Sequence, residues 1–168
     1  MRTTTAVLAT AALGLAAAAA AQDEISFRST ELDESLYMLE GVGGFTGGNL
    51  GLLTGEDGVV LIDDGLEQLS DKVLAAVDDV AGGPANFVIN THVHGDHVGG
   101  NAAMHRHGAT IVAHDNIRER MLDSDTTPDA LPRITFASEV ELSPERAPRQ
   151  RLSRRARPHG RRRRHPLS

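Results

Sequence analysis

The stretch Thr91-His92-Val93-His94-Gly95-Asp96-His97-Val98-Gly99-Gly100-Asn101 constrains this chain more than any other. Four potential metal ligands, His92, His94, Asp96 and His97, fall within six residues. Phe87-Val88-Ile89-Asn90 before them reads as a short buried strand, and Asn101-Ala102-Ala103-Met104 after them as helix. The cluster therefore lies on a strand-to-helix loop, where a rigid element can aim side chains into a cleft. In an extended segment, residues two apart project to the same side, so His92 and His94 can reach one cation together. Gly95 admits backbone angles closed to other residues, and a turn there brings Asp96 and His97 in from another direction. Neutral imidazole and carboxylate suit Zn²⁺, with other first-row metals open.

The flanking pattern gives the ligand loop a scaffold. Leu36–Leu39 reads as a strand, and residues 41–48 hold five glycines and read as a mobile loop. Leu50–Thr54 and Val59–Ile62 read as a hairpin joined by Gly55-Glu56-Asp57-Gly58. The second of these strands is apolar at consecutive positions and is expected to be buried on both faces. Leu66, Leu69, Val73, Val77 and Val80 recur at spacings of 3, 4, 4 and 3, one face of a helix that Gly82-Gly83-Pro84 stops. Strand, helix and strand in that order predict a right-handed crossover and two parallel strands. Beyond the ligand loop, residues 98–107 read as helix, Thr110–Ala113 as strand and Asn116–Met121 as a short helix. Ile134–Phe136 and Val140–Leu142 read as fragments of a strand pair. His105 and His107 repeat the His-x-His spacing, but on a helix two positions diverge by about 200°. They are expected to be solvated surface, and His114 a packing or hydrogen-bonding residue.

Composition narrows the chemistry. There is no cysteine in 168 residues, which excludes disulfides, a Cys ligand and a Cys nucleophile. Aromatics make up 3%, leaving little to stack on nucleobases. The net charge of −6 conceals an asymmetry: residues 1–144 carry 7 Lys/Arg against 22 Asp/Glu, residues 145–168 carry 10 Arg against 1 Glu. Residues 1–21 read as a signal peptide with Ala19-x-Ala21 as cleavage site, predicting an exported, periplasmic protein with no membrane span in its mature form. Residues 22–35 read as a loose polar leader.

The ligand stretch closely resembles the HxHxDH signature of the metallo-β-lactamase-fold hydrolases, and Asn90-Thr91-His92 and Ala113-His114-Asp115-Asn116 are similar to stretches of its exported members. The resemblance implies that His92 and His94 bind one zinc and that Asp96 and His97 bind a second. Asp96 then also orients the nucleophile and assists proton transfer. Asp63, in Asp63-Asp64-Gly65, matches the residue that lies beneath the metal loop and helps hold it; the plain alternative is that Asp63 or Asp64 caps the next helix. The implied activity is hydrolysis of a small-molecule ester, thioester, lactam or related bond by zinc-activated water. The implied fold is α/β (α+β), an αββα sandwich with a mixed sheet and flanking helices, of which residues 36–142 supply the first half.

Residues 143–168 depart from that pattern. They read as a disordered Arg-rich tail without hydrophobic periodicity, consistent with translation out of frame, and His159 and His165 receive no role. Nucleic acid is not an expected partner. The alternatives that stay open are a catalytically inactive, truncated remnant that binds metal weakly and, more distantly, a basic-tailed interaction protein. If about 1,000 Å² of apolar sheet stayed wet, the loss would be on the order of 25 kcal/mol, against a domain stability of about 5–15 kcal/mol. The expectation is a chain that is unstable, aggregates or pairs with another chain.

Overall fold

In the computed structural model, residues 25–142 are described; the expected signal peptide and the Arg-rich tail lie outside them. One mixed sheet runs through this region, with seven strands in the order of the chain. Strands β1 (Ser26–Asp33), β2 (Leu36–Val42), β3 (Leu50–Leu53) and β4 (Val60–Ile62) pair antiparallel. β4 then pairs in parallel with β5 (Phe87–Asn90), β5 with β6 (Thr110–His114), and β6 with β7 (Ile134–Phe136). The change to parallel pairing follows the connections. A turn links β3 to β4, whereas a 3-10 turn (Glu67–Leu69) and helix α1 (Ser70–Ala81) link β4 to β5, as a parallel crossover requires.

The periodic apolar face of α1 is the face that packs. Val73 and Val77 are buried against Leu39, Leu52, Leu61, Val88 and Ile111 of the sheet, joined by Met104. Each fully buried valine of that seam contributes about 1.5–3 kcal/mol. Two short helices follow β5, α2 (Gly95–Val98) and α3 (Asn101–Arg106), where the sequence predicts one helix over 98–107. Helix α4 (Asp115–Asp123) leaves β6 directly, and its Ile117 and Met121 form a smaller cluster with Ala113 and Leu131.

The two faces of the sheet differ. Leu61 and Val88 face α1 and are wholly buried, but the alternate residues Val60, Ile62, Phe87 and Ile89 are only half-buried. Burial of β4 on both faces is therefore not reached among the described residues. Leu53 and Ile134 are 37% and 40% exposed.

Two other expectations need correcting. Ser26–Asp33, expected to be a loose leader, is strand β1, because its backbone pairs with β2 from Ser26↔Val42 to Asp33↔Leu36. Its side chains are mostly exposed, so hydrophobic pattern carries no sign of it. Val140–Leu142 is not a strand; pairing on that side stops at β7.

Candidate metal centre

The site gathers at the C-terminal ends of β4 and β5, where parallel strands open a crevice. β4 ends at Ile62, and Asp63 takes a left-handed conformation with φ 59°. Aspartate is among the few L-residues that tolerate this. The backbone stays attached through the Asp63 N–H, which donates to the Ile89 carbonyl at 2.9 Å. The bend carries the Asp63 carboxylate under the loop that follows β5.

There Asp63 is almost fully occupied. Its Oδ1 accepts from the Thr91 backbone N–H at 2.8 Å, and its Oδ2 accepts from the Thr91 hydroxyl at 2.7 Å. Oδ2 also faces His97 Nδ1 at 2.8 Å. Thr91 Oγ1, having donated its proton to Asp63, is an acceptor for His92 Nδ1 at 3.0 Å. One carboxylate thus fixes His97 directly and His92 through a hydroxyl. In both rings the Nδ1 proton is held, which leaves Nε2 as the free donor atom. This is the carboxylate–histidine arrangement that orients metal ligands.

The ligand side has matching geometry. Asp96 Oδ2 lies 3.6 Å from His97 Nε2, too long for a hydrogen bond. Two donors about 2.0–2.2 Å from one tetrahedral metal stand roughly 3.4 Å apart, so this spacing fits a shared cation. The His92 ring lies 3.8 Å from that of His97 and 4.8 Å from that of His94, centroid to centroid. The His92, His94 and His97 rings and the Asp96 carboxylate are therefore neighbours. The closest set of donor atoms is nevertheless Asp63, His92 and His97, all within 4.8 Å of one another. That set cuts across the two implied pairs. Asp63 already accepts three hydrogen bonds, so its place in the set is better explained by holding the two rings than by ligating. Neither Asp63 nor Asp64 caps the following helix, whose first turn begins from Leu66 without a side-chain cap.

The turn of the loop is not made at Gly95. Gly95 is absent from the left-handed residues and opens α2, with His94 extended at φ −68°, ψ 147° as the residue before it. The glycines that matter sterically are Gly99 and Gly100. A Cβ on Gly99 would lie 2.4 Å from the Gly95 carbonyl oxygen, and one on Gly100 2.7 Å from that of Asp64. Only this pair lets the α2–α3 link pass over the turn after β4.

Beneath the loop lies a polar layer whose roles the sequence reading missed. Asn90 and Asn101 exchange amide hydrogen bonds at 3.0 and 3.1 Å. Asn90 also donates to the His97 carbonyl, and Asn101 to that of Ala130. Both side chains are buried. Asp64 Oδ1 accepts from the Gly100 N–H at 2.8 Å, while its buried Oδ2 has no partner. Burial pushes the Asp64 carboxyl well above the usual carboxylate range; the Gly100 N–H opposes this, and the charge of Asp63 adds to it. A polar residue ending an apolar strand, as Asn90 does, is the one signal that could have found this layer.

The other histidines stay apart. His105 Nδ1 faces the Ala109 carbonyl and its Nε2 faces Arg133; His107 Nδ1 faces the Ala103 carbonyl. His114 accepts from the Asn116 N–H and lies against the Ala137 carbonyl. His159 and His165 lie outside the described residues.

Known structures and families agree with this fold. No curated protein matches the chain. Solved structures resemble it in fold: a metallo-beta-lactamase from Pontibacter korlensis, 20% identical, covers 70% of this chain and 56% of its own at a TM-score of 0.59. Metallo-beta-lactamases from Hirschia baltica and Erythrobacter litoralis, each 21% identical, give TM-scores of 0.53 and 0.54 and are covered over 54% and 53% of their lengths. The chain thus spans little more than half the length of the structures it matches. The family model of the metallo-beta-lactamase superfamily matches residues 43–155, reaching past residue 142, where the motif resemblance stops. A match over more than half of the sequence, with the ligand loop inside it, settles the family: the chain belongs to the metallo-beta-lactamase superfamily.

Proposed function

We propose that this chain carries the metal-binding part of a zinc-dependent hydrolase acting on a small-molecule ester, thioester, lactam or related bond. The observation that carries the proposal is the pair of histidines, His92 and His97, whose Nδ1 atoms are tied to one buried carboxylate system while Asp96 stands 3.6 Å from His97 Nε2. His92 and His94 would hold one cation, and Asp96 and His97 a second. A bound divalent zinc supplies Lewis acidity and makes a nucleophilic water available near neutral pH.

The residues of the chain supply the rest. Asp63 and Thr91 hold the rings at fixed tautomer and angle, which removes reorganisation from the reacting geometry. Asp96 is partly exposed, so its carboxylate can reach a water or substrate proton and act as general base. The Ala-rich residues 1–21 support an exported location for this activity. The test is elemental analysis of the purified full chain, with hydrolysis of a chromogenic lactam and a thioester. Zinc approaching two per chain with turnover is expected. A chain that takes up no zinc would defeat the proposal.

A second reading is favoured by the ligand count. A catalytic zinc commonly has three protein ligands, whereas each proposed cation here has two among the described residues. Weak metal binding without catalysis would give substoichiometric zinc, removed by mild chelation, and no turnover on either substrate.

A further inference from the structure

The glycine-rich loop between β2 and β3 is seated on the proposed site. A Cβ on Gly47 would lie 2.6 Å from Asp96 Cβ and 3.1 Å from the Asp96 carbonyl oxygen. Gly47 has φ +89°, and its neighbour Gly48 has φ +115° with open space where a Cβ would stand. The loop is pinned at Thr46, which is buried and fills the space that a Cβ on Gly41 would need. The Thr46 carbonyl oxygen also comes within 3.9 Å of a Cβ position on Gly65, just after Asp63-Asp64. One short segment therefore touches both sides of the site, the turn after β4 and the loop after β5.

We propose that Gly47 is a positioning residue for Asp96, and that order in the 43–49 loop is coupled to metal occupancy at Asp96 and His97. Only a residue without a side chain fits here, and its backbone bars Asp96 from moving back into the space that the loop occupies. Asp96 is then left facing His97 Nε2. A coupling free energy between two places acts equally in both directions. If the seated loop strengthens metal binding at Asp96, metal bound there stabilises the seated loop. The inference rests on the metal reading above and adds a residue outside the ligand motif.

The two adjacent glycines provide their own control. Both have left-handed backbones, so alanine strains either, but only at position 47 would the new methyl group meet Asp96. Zinc affinity is measured by competition with a chromogenic chelator for the full wild-type chain, Gly47→Ala and Gly48→Ala. Gly47→Ala is expected to bind zinc about tenfold more weakly than Gly48→Ala, the size of loss typical of residues that orient ligands. Equal affinities for the two variants would overturn the proposal while leaving the metal reading intact. In parallel, cleavage within residues 43–49 by a broad-specificity protease is followed with and without zinc. Zinc should slow cleavage in the wild type and not in Asp96→Asn; equal protection in both would also overturn the coupling. This second measurement decides the matter if Gly47→Ala does not fold. A wild type that takes up no zinc defeats both the metal reading and the coupling.

Discussion

His92-x-His94 and His105-x-His107 have the same spacing within one chain, and the fold uses them differently. The first pair lies on the loop that leaves β5, where the His92 Nδ1 is secured by Thr91 and its ring lies beside those of His94 and His97. The second pair lies at the end of α3, where His107 turns back to the helix carbonyl of Ala103 and His105 faces the Ala109 carbonyl just before β6. The same letters gather rings beside one another on a loop and turn them to main-chain carbonyls at a helix end. What separates them is the backbone beneath and, more decisively, a buried acid. Asp63 stands under the first pair, whereas the rings of the second face main-chain carbonyls and Arg133.

Mutations that remove the Asp63 system from the first pair test this contrast. His97→Ala should have the largest effect. It deletes a donor and one of the three hydrogen bonds that hold Asp63, so zinc affinity should fall beyond the roughly 100-fold seen for losses among residues that merely orient ligands; equilibrium dialysis would measure it. Asp63→Ala should follow, with a loss of about 10–100-fold and about 1–3 kcal/mol of stability from unpaired buried groups, read from urea unfolding. Thr91→Val removes the hydroxyl that bridges Asp63 and His92 while keeping the backbone N–H bond to Asp63; it should cost about tenfold in zinc affinity, with Thr91→Ser restoring it. If Thr91→Val leaves affinity unchanged, the hydroxyl does not set the His92 ring. The double variant His105→Ala, His107→Ala should leave zinc binding unchanged and cost about 1 kcal/mol of stability through lost hydrogen bonds. Loss of zinc in that variant would erase the distinction between the pairs.

The smallest expected effect concerns the acid next to Asp63. Asp64 is held protonated to higher pH in the fold than in the unfolded chain, chiefly by burial. Its contribution to stability is full below the unfolded value, about pH 4, and is lost as pH rises towards the folded value. Asp64→Asn keeps an acceptor for the Gly100 N–H and cannot ionise. The stability of the variant relative to wild type should therefore increase from pH 4 upward in paired urea titrations. A difference that does not vary with pH would mean that Asp64 ionises as freely in the fold as in the unfolded chain.

Which parts could be read in advance follows from where information is carried. Helix α1 was legible because Val73 and Val77 repeat with helical period and the glycines after Ala81 end it. The donor-rich loop was legible because four residues of suitable chemistry crowd it. Strand β1 was not, because an exposed edge strand is held by backbone bonds to β2 that leave no pattern in its side chains. The break between α2 and α3 was hidden in Gly99-Gly100, whose need for contact with Asp64 and Glu67 exists only once the chain is folded. Asp63 was legible as a support but not as the common anchor of two rings, since that depends on Thr91 lying between it and His92.

The sheet lists its strands in the order in which they are made. Among the described residues, each strand can be laid on the margin left by the one before, and none is inserted between two earlier ones. Assembly of this kind keeps loop closures short and favours rapid folding. It also means that the margin of β4, from which Asp63 extends, is the one on which β5 and the histidine loop are then laid.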